Sequence, residues 1–247
     1  MQYLTHCDHL EREGARFVQL AATASLDAPV PTCPEWRVSD LLAHLGFVHR
    51  RAQYWVKVRA TERLSPKIMN LSRGPVSAEW MAEGIEELVT TLRSSDPDDL
   101  MWAWGEDQHV RYWARRLLHE TLVHRIDLEG ALGVVSVVDD EVGADAIDEF
   151  FANVEYARDF SPHVKNLVGG ADVITFSCEE GPSWTVRLDP TGFEFLDEPV
   201  VADARLSGAT TELLLVIYRR RSLEESSCVS EGRRDLVERW LANSALL

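Results

Sequence analysis

Near residue 160 the spacing of the apolar residues changes, so two kinds of structure must lie on either side of it. Upstream, apolar residues recur at three- and four-residue intervals, which puts them on one face of a helix. The spacing predicts helices over about 3–25, 36–62, 77–94, 110–132 and 139–158. The second carries Val38, Leu41, Leu42, Leu45, Val48, Ala52 and Trp55, with Pro31 and Pro34 just ahead of it, where proline is tolerated. Pro66 and Pro75 bracket a loop, SSDPDD stops the third helix, and Gly133 ends the fourth. Helices of this length with modest connections make a bundle. Downstream, Asp172–Cys178 and Ser183–Leu188 alternate as strands do. Pro190-Thr191-Gly192 turns into a strand over 193–196, and another is expected over 200–206. Helices over about 209–219 and 231–243 close the chain, with an extended SSCVS between them. The expected fold is mostly α with an α+β tail: a helical bundle over 1–160, then a small α+β domain over 165–247.

Composition excludes several roles. Basic residues number 25 and acidic ones 41, a formal charge of −16. A nucleic-acid backbone or an anionic membrane surface would repel such a chain. No apolar run approaches the length of a membrane span, and the charged amino terminus has no apolar signal core. Cys7, Cys33, Cys178 and Cys228 are far apart and form no CxxC pair, so they read as reduced thiols of a cytoplasmic protein.

The chemistry concentrates in the fourth helix, in His119-Glu120-Thr121-Leu122-Val123-His124-Arg125-Ile126-Asp127. Glu120 and His124 are four residues apart, so both project from one helix face and can reach a single ion. Carboxylate plus imidazole suits zinc or another divalent transition metal. The same spacing also arises on any charged helix as a solvated pair. A third ligand would come from another helix, and the second offers His44 and His49. At about 100° per residue these point roughly 140° apart, so one of them faces the bundle centre. Periodicity leans slightly towards His49 and leaves the choice open.

Other signals are weaker. His6-Cys7-x-His9 has no second cluster to complete a site. Cys33 is either a turn cysteine or a thiol capping the second helix. Trp102 and Trp104 precede the fourth helix and could line a pocket mouth, while Asp127 and Glu129 are either supports for a histidine N–H or surface acids.

Two blocks carry a family resemblance. The stretch 30–46, VPTCPEWRVSDLLAHLG, resembles the opening motif of the actinobacterial mycothiol-dependent maleylpyruvate isomerase family, within the DinB-like four-helix metalloenzymes. The block 119–127 is similar to that family's second signature, and LSG at 206–208 with VSEG at 229–232 resembles its carboxy-terminal domain. The resemblance implies a DinB-like four-helix bundle whose metal is held by one histidine and an ExxxH pair. By position after Trp36 the histidine falls on His44, overriding the weak preference for His49, and the pair falls on Glu120 and His124. It also implies an arginine after the helix of the second domain, for which Arg220 within Arg219-Arg220-Arg221 is the nearest match. The implied function is a zinc-dependent enzyme using a low-molecular-weight thiol, mycothiol, for isomerisation or S-transfer on a small electrophile, one bearing a carboxylate for Arg220 to clamp. The alternatives are a metal-dependent hydrolase, in which bound water replaces the thiol, and a non-enzymatic metal-binding or regulatory module on the same fold.

Overall fold

A computed structural model describes residues 1–69, 76–198 and 200–244. Its helices are α1 (Tyr3–Ala21), α2 (Val38–Val58), α3 (Pro66–Met69), α4 (Ala78–Arg93), α5 (Val110–Ala131), α6 (Asp140–Val154), α7 (Thr210–Ile217) and α8 (Arg234–Asn243). Its strands are β1 (Asp172–Cys178), β2 (Ser183–Asp189), β3 (Gly192–Leu196), β4 (Ala204–Gly208) and β5 (Val229–Gly232). Pro75 and the end of the loop it was expected to bracket lie outside the described residues.

The chain forms two compact units, Met1–Ser136 and Val137–Leu247. The division falls earlier than the change of apolar spacing near residue 160, because α6 packs on α7 within the second unit. There Tyr218 donates from its hydroxyl to the Ala146 carbonyl at 3.0 Å and stacks against Phe150 at 5.0 Å.

In the first unit α1, α4, α2 and α5 pack in a closed ring of four, each helix against two others. α1 buries Cys7, Leu10, Gly14, Phe17 and Ala21 on one stripe, as expected from their spacing. It stops four residues short of the expected end. α2 begins at Val38, where the Arg37 N–H donates to Asp40 at 2.9 Å, and ends at Arg59 in the left-handed conformation. α5 differs from its neighbours: from Leu117 to Glu129 it is buried almost all round, polar residues included. Arg125 and Glu129 on its inner side pair with each other at 2.6 Å and reach Glu13 and Arg16 of α1. Partnered in this way, the buried charges can be kept in the interior.

In the second unit the sheet order is β3-β2-β1-β4-β5, with β1 and β4 parallel and the other pairs antiparallel. Phe151, Phe176, Phe193, Phe195 and Trp240 pack together as its aromatic core. β4 starts at Ala204, later than the apolar Val200 and Val201 suggest. Those valines are exposed, and Asp203 ends the preceding segment by accepting the Val173 N–H at 2.9 Å.

α2 approaches α4 closely at Gly46. A Cβ there would lie 2.2 Å from the Trp80 ring and 2.9 Å from Met81 Sδ. Because Gly46 stands two residues from His44, this contact also sets the height of α2 in the bundle. Gly46→Ala is expected to lower stability by about 1–3 kcal/mol through overpacking; an unchanged urea midpoint would count against the contact.

Candidate metal centre

α5 presents Glu120 and His124 from successive turns, and α2 presents His44 opposite them. Glu120 Oε1 lies 3.1 Å from His44 Nε2 and 3.4 Å from His124 Nε2. Ligand atoms of the three residues all fall within 4.8 Å of one another. Donors about 2.1 Å from a tetrahedral zinc would sit about 3.4 Å apart, so the cluster has the chemistry and the size to hold one ion. It is the group of three such side chains found among the described residues.

Asp127 orients the cluster from behind. It is fully buried, and its Oδ2 accepts the His124 Nδ1–H at 2.8 Å. Its Oδ1 accepts the Thr32 hydroxyl at 2.6 Å, and the Cys33 thiol lies 3.9 Å from Oδ2. With Nδ1 engaged, His124 turns Nε2 towards Glu120, the orientation a metal ligand needs. The Trp36 ring closes one side, with its centroid 4.9 Å from that of His44 and 6.0 Å from that of His124.

The electrostatics match this geometry. Burial opposes a charge on Glu120, but Arg116 and the hydrogen bonds from His124 and His44 outweigh it and hold the carboxyl well below its ordinary range. Burial likewise opposes a charge on His124, yet its bonds to Asp127 and Glu120 raise its pKa to about 9. Without metal, therefore, a proton sits between Glu120 and His124 at neutral pH, where a cation would otherwise be held.

His49, the residue periodicity favoured, points elsewhere. It is fully buried, with Nε2 2.8 Å from Thr121 Oγ1. That hydroxyl already donates to the Leu117 carbonyl at 2.6 Å, so it can only accept from His49. Burial dominates here and lowers the His49 pKa to about 3, so it is a neutral core histidine.

The remaining candidates separate. Asp127 supports a histidine N–H, whereas Glu129 belongs to the ion pairs with Arg125 and Arg16. Cys33 does not cap α2: Arg37 holds that position and Cys33 lies in the loop before it. Trp102 packs against Trp55 and Trp113, and Trp104 lies beneath Arg116. His6 and Cys7 are buried in α1, where burial pushes the Cys7 thiol up to about 11. Arg220 belongs to the second unit, just after α7, and donates to the Tyr218 carbonyl at 2.9 Å. Sequence reasoning missed Thr32 and Arg116. The four-residue interval from Arg116 to Glu120 could have signalled an ion pair, but nothing local marks Thr32.

A four-helix bundle followed by a small mixed sheet is the DinB-like type of fold. A family model described as the mycothiol maleylpyruvate isomerase N-terminal domain matches residues 7–129. The chain belongs to the mycothiol-dependent maleylpyruvate isomerase family. Its fold is similar to a crystal structure of the mycothiol-dependent maleylpyruvate isomerase, with a TM-score of 0.60 and 11% identity over 94% of this chain and 93% of that one. A histidine-to-alanine mutant of the mycothiol-dependent maleylpyruvate isomerase aligns with the same TM-score of 0.60 and 11% identity, over 92% of this chain and 93% of that one. No curated protein matches the sequence.

His49 has a depressed pKa, so the unfolded state binds its proton first as pH falls. Its contribution to stability is complete above pH 6.5 and is lost as pH falls from there towards 3. Over that window the slope from this one residue approaches about 1.4 kcal/mol per pH unit. His49→Met should flatten the urea-stability profile by that amount; identical acid slopes in the two proteins would refute the assignment.

Proposed function

We propose that this protein is a metal-dependent isomerase that uses mycothiol as its thiol cosubstrate. The observation carrying the proposal is the convergence of His44, Glu120 and His124, with Asp127 setting the orientation of His124. Family membership supports the thiol and the reaction type. His44 Nε2, His124 Nε2 and Glu120 Oε1 would hold zinc or a similar divalent cation. Such an ion lowers the pKa of a coordinated thiol from its free value of about 8.5, so that thiolate is present at neutral pH.

The protein's own groups do the remaining work. Asp127 keeps the His124 Nδ1–H engaged, so the lone pair of Nε2 faces inward. Trp36 covers the two imidazoles and presents an apolar wall to whatever binds beside them. Addition of a thiolate to a conjugated double bond turns that bond single, with its electron pair moving onto the conjugated carbonyl, permits rotation, and expels the thiolate again when the double bond re-forms. Arg220 is our candidate for clamping a substrate carboxylate. A guanidinium fork suits bidentate carboxylate recognition.

Protein purified without chelator should contain one divalent metal per chain, and His124→Ala should lose it. Wild type without stoichiometric metal, both as purified and after zinc addition, would remove the basis of the proposal. Turnover should require mycothiol and return it unchanged. Adduct accumulation would indicate S-transfer, and turnover without any thiol would indicate a hydrolase.

Asp127→Asn should weaken metal binding about 10- to 100-fold while the metal-free fold persists. Competition with a chromophoric chelator measures this, and wild-type affinity would show that Asp127 does not orient His124.

A further inference from the structure

The two oxygens of Glu120 face in different directions. Oε1 points to His44 and His124, while Oε2 accepts from the Arg116 guanidinium at 2.5 Å. Arg116 lies four residues before Glu120 on α5, so the helix itself sets their separation. The arginine side chain is only 12% exposed, and its Cζ lies 5.9 Å from the Trp104 ring centroid. Trp104 in turn meets Tyr112 edge-on at 5.8 Å. Its loop is pinned by Gln108, whose amide donates to the Ala103 and Gly105 carbonyls at 2.9 and 2.7 Å and accepts the Ala103 N–H at 3.0 Å.

We propose that Arg116 is a positioning residue that confines Glu120 to coordination through one oxygen, so that a position on the ion stays open for the thiol. The inference rests on the metal reading of this cluster. A carboxylate beside a divalent ion can give one oxygen or two, and the second oxygen would fill a position an incoming ligand needs. Arg116 competes for that oxygen permanently. Its guanidinium stays charged, carries donors in a rigid fork, and has no lone pair with which to bind the metal itself. Trp104 limits where the fork can go. The aromatic loop before α5 thereby acts on the coordination number without touching the ion.

The test uses cobalt(II), whose visible absorption weakens as coordination number rises, and 2-mercaptoethanol as the thiol probe. Wild type, Arg116→Met and Arg116→Lys are loaded with cobalt and titrated with thiol, following the sulfur-to-cobalt charge-transfer band. In Arg116→Met the visible absorption should fall about twofold and the thiol dissociation constant rise about tenfold. Arg116→Lys keeps the charge and loses the fork, so it should move both readouts in the same direction. It also carries the test if the methionine variant does not fold. Circular dichroism of the metal-free proteins identifies a variant that has lost structure. A wild type that takes up no cobalt overturns the metal reading and this inference with it. A wild type that binds cobalt, beside folded variants with an unchanged visible spectrum and a thiol affinity within about twofold of its own, overturns this inference alone.

Discussion

The buried carboxylate of Asp127 is the interaction on which the site depends. An ionised carboxylate without partners in an apolar interior is too costly to keep, and this one has none of its surface exposed. It is tolerated because both oxygens are engaged, one by His124 Nδ1 and the other by the Thr32 hydroxyl. Those partners come from different places, the first from α5 and the second from the loop ahead of α2. One carboxylate therefore orients a histidine and ties down the loop that carries Trp36. The stacking of Trp36 on both imidazoles follows from that tie, because the loop is short and α2 begins directly after it. Removing the negative charge disturbs the imidazole, the loop and the aromatic wall together.

His49 and His124 show how the same interior produces opposite protonation states. Both are buried, and burial alone lowers the pKa of each. His49 meets only a hydroxyl that is already donating, and it stays neutral into acid. His124 sits between two carboxylates and stays protonated to about pH 9 without metal. A site that stabilises a proton between an imidazole and a carboxylate also stabilises a divalent cation there, because both are positive charges held by the same lone pairs.

That contrast explains how much of the site was legible in sequence. Spacing within one helix shows Glu120 and His124, since four residues bring side chains onto one face. The spacing also locates α5 and β1 closely. The choice between His44 and His49 cannot be read from α2 alone. It depends on what α5 places opposite each, and the hydrophobic stripe contains both. The Trp36-led block points to His44 only through resemblance. Thr32 was illegible for the same reason: its partner is 95 residues away. The late start of β4 has a different cause: Val200 and Val201 have strand propensity, but among the described residues the pairing of β4 with β1 begins only at Ala204 and Ile174.

The excess negative charge sets the last constraint. With a formal charge of −16, the chain as a whole repels an anionic substrate. Much of the charge is answered locally: Asp8 and Glu11 share Arg93, Asp98 and Asp107 share Arg111, and Glu13 and Glu129 share Arg125. The candidate cluster follows the same rule with one difference. Glu120 has Arg116 on one oxygen, and its other oxygen faces histidines that can become neutral donors. A dication held there would outweigh the one carboxylate beside it and leave a region of positive potential inside an acidic protein. Screening shortens the reach of the surface charges to about 8 Å at physiological salt, so an anion near the cluster responds to the cation it touches more than to the distant acids.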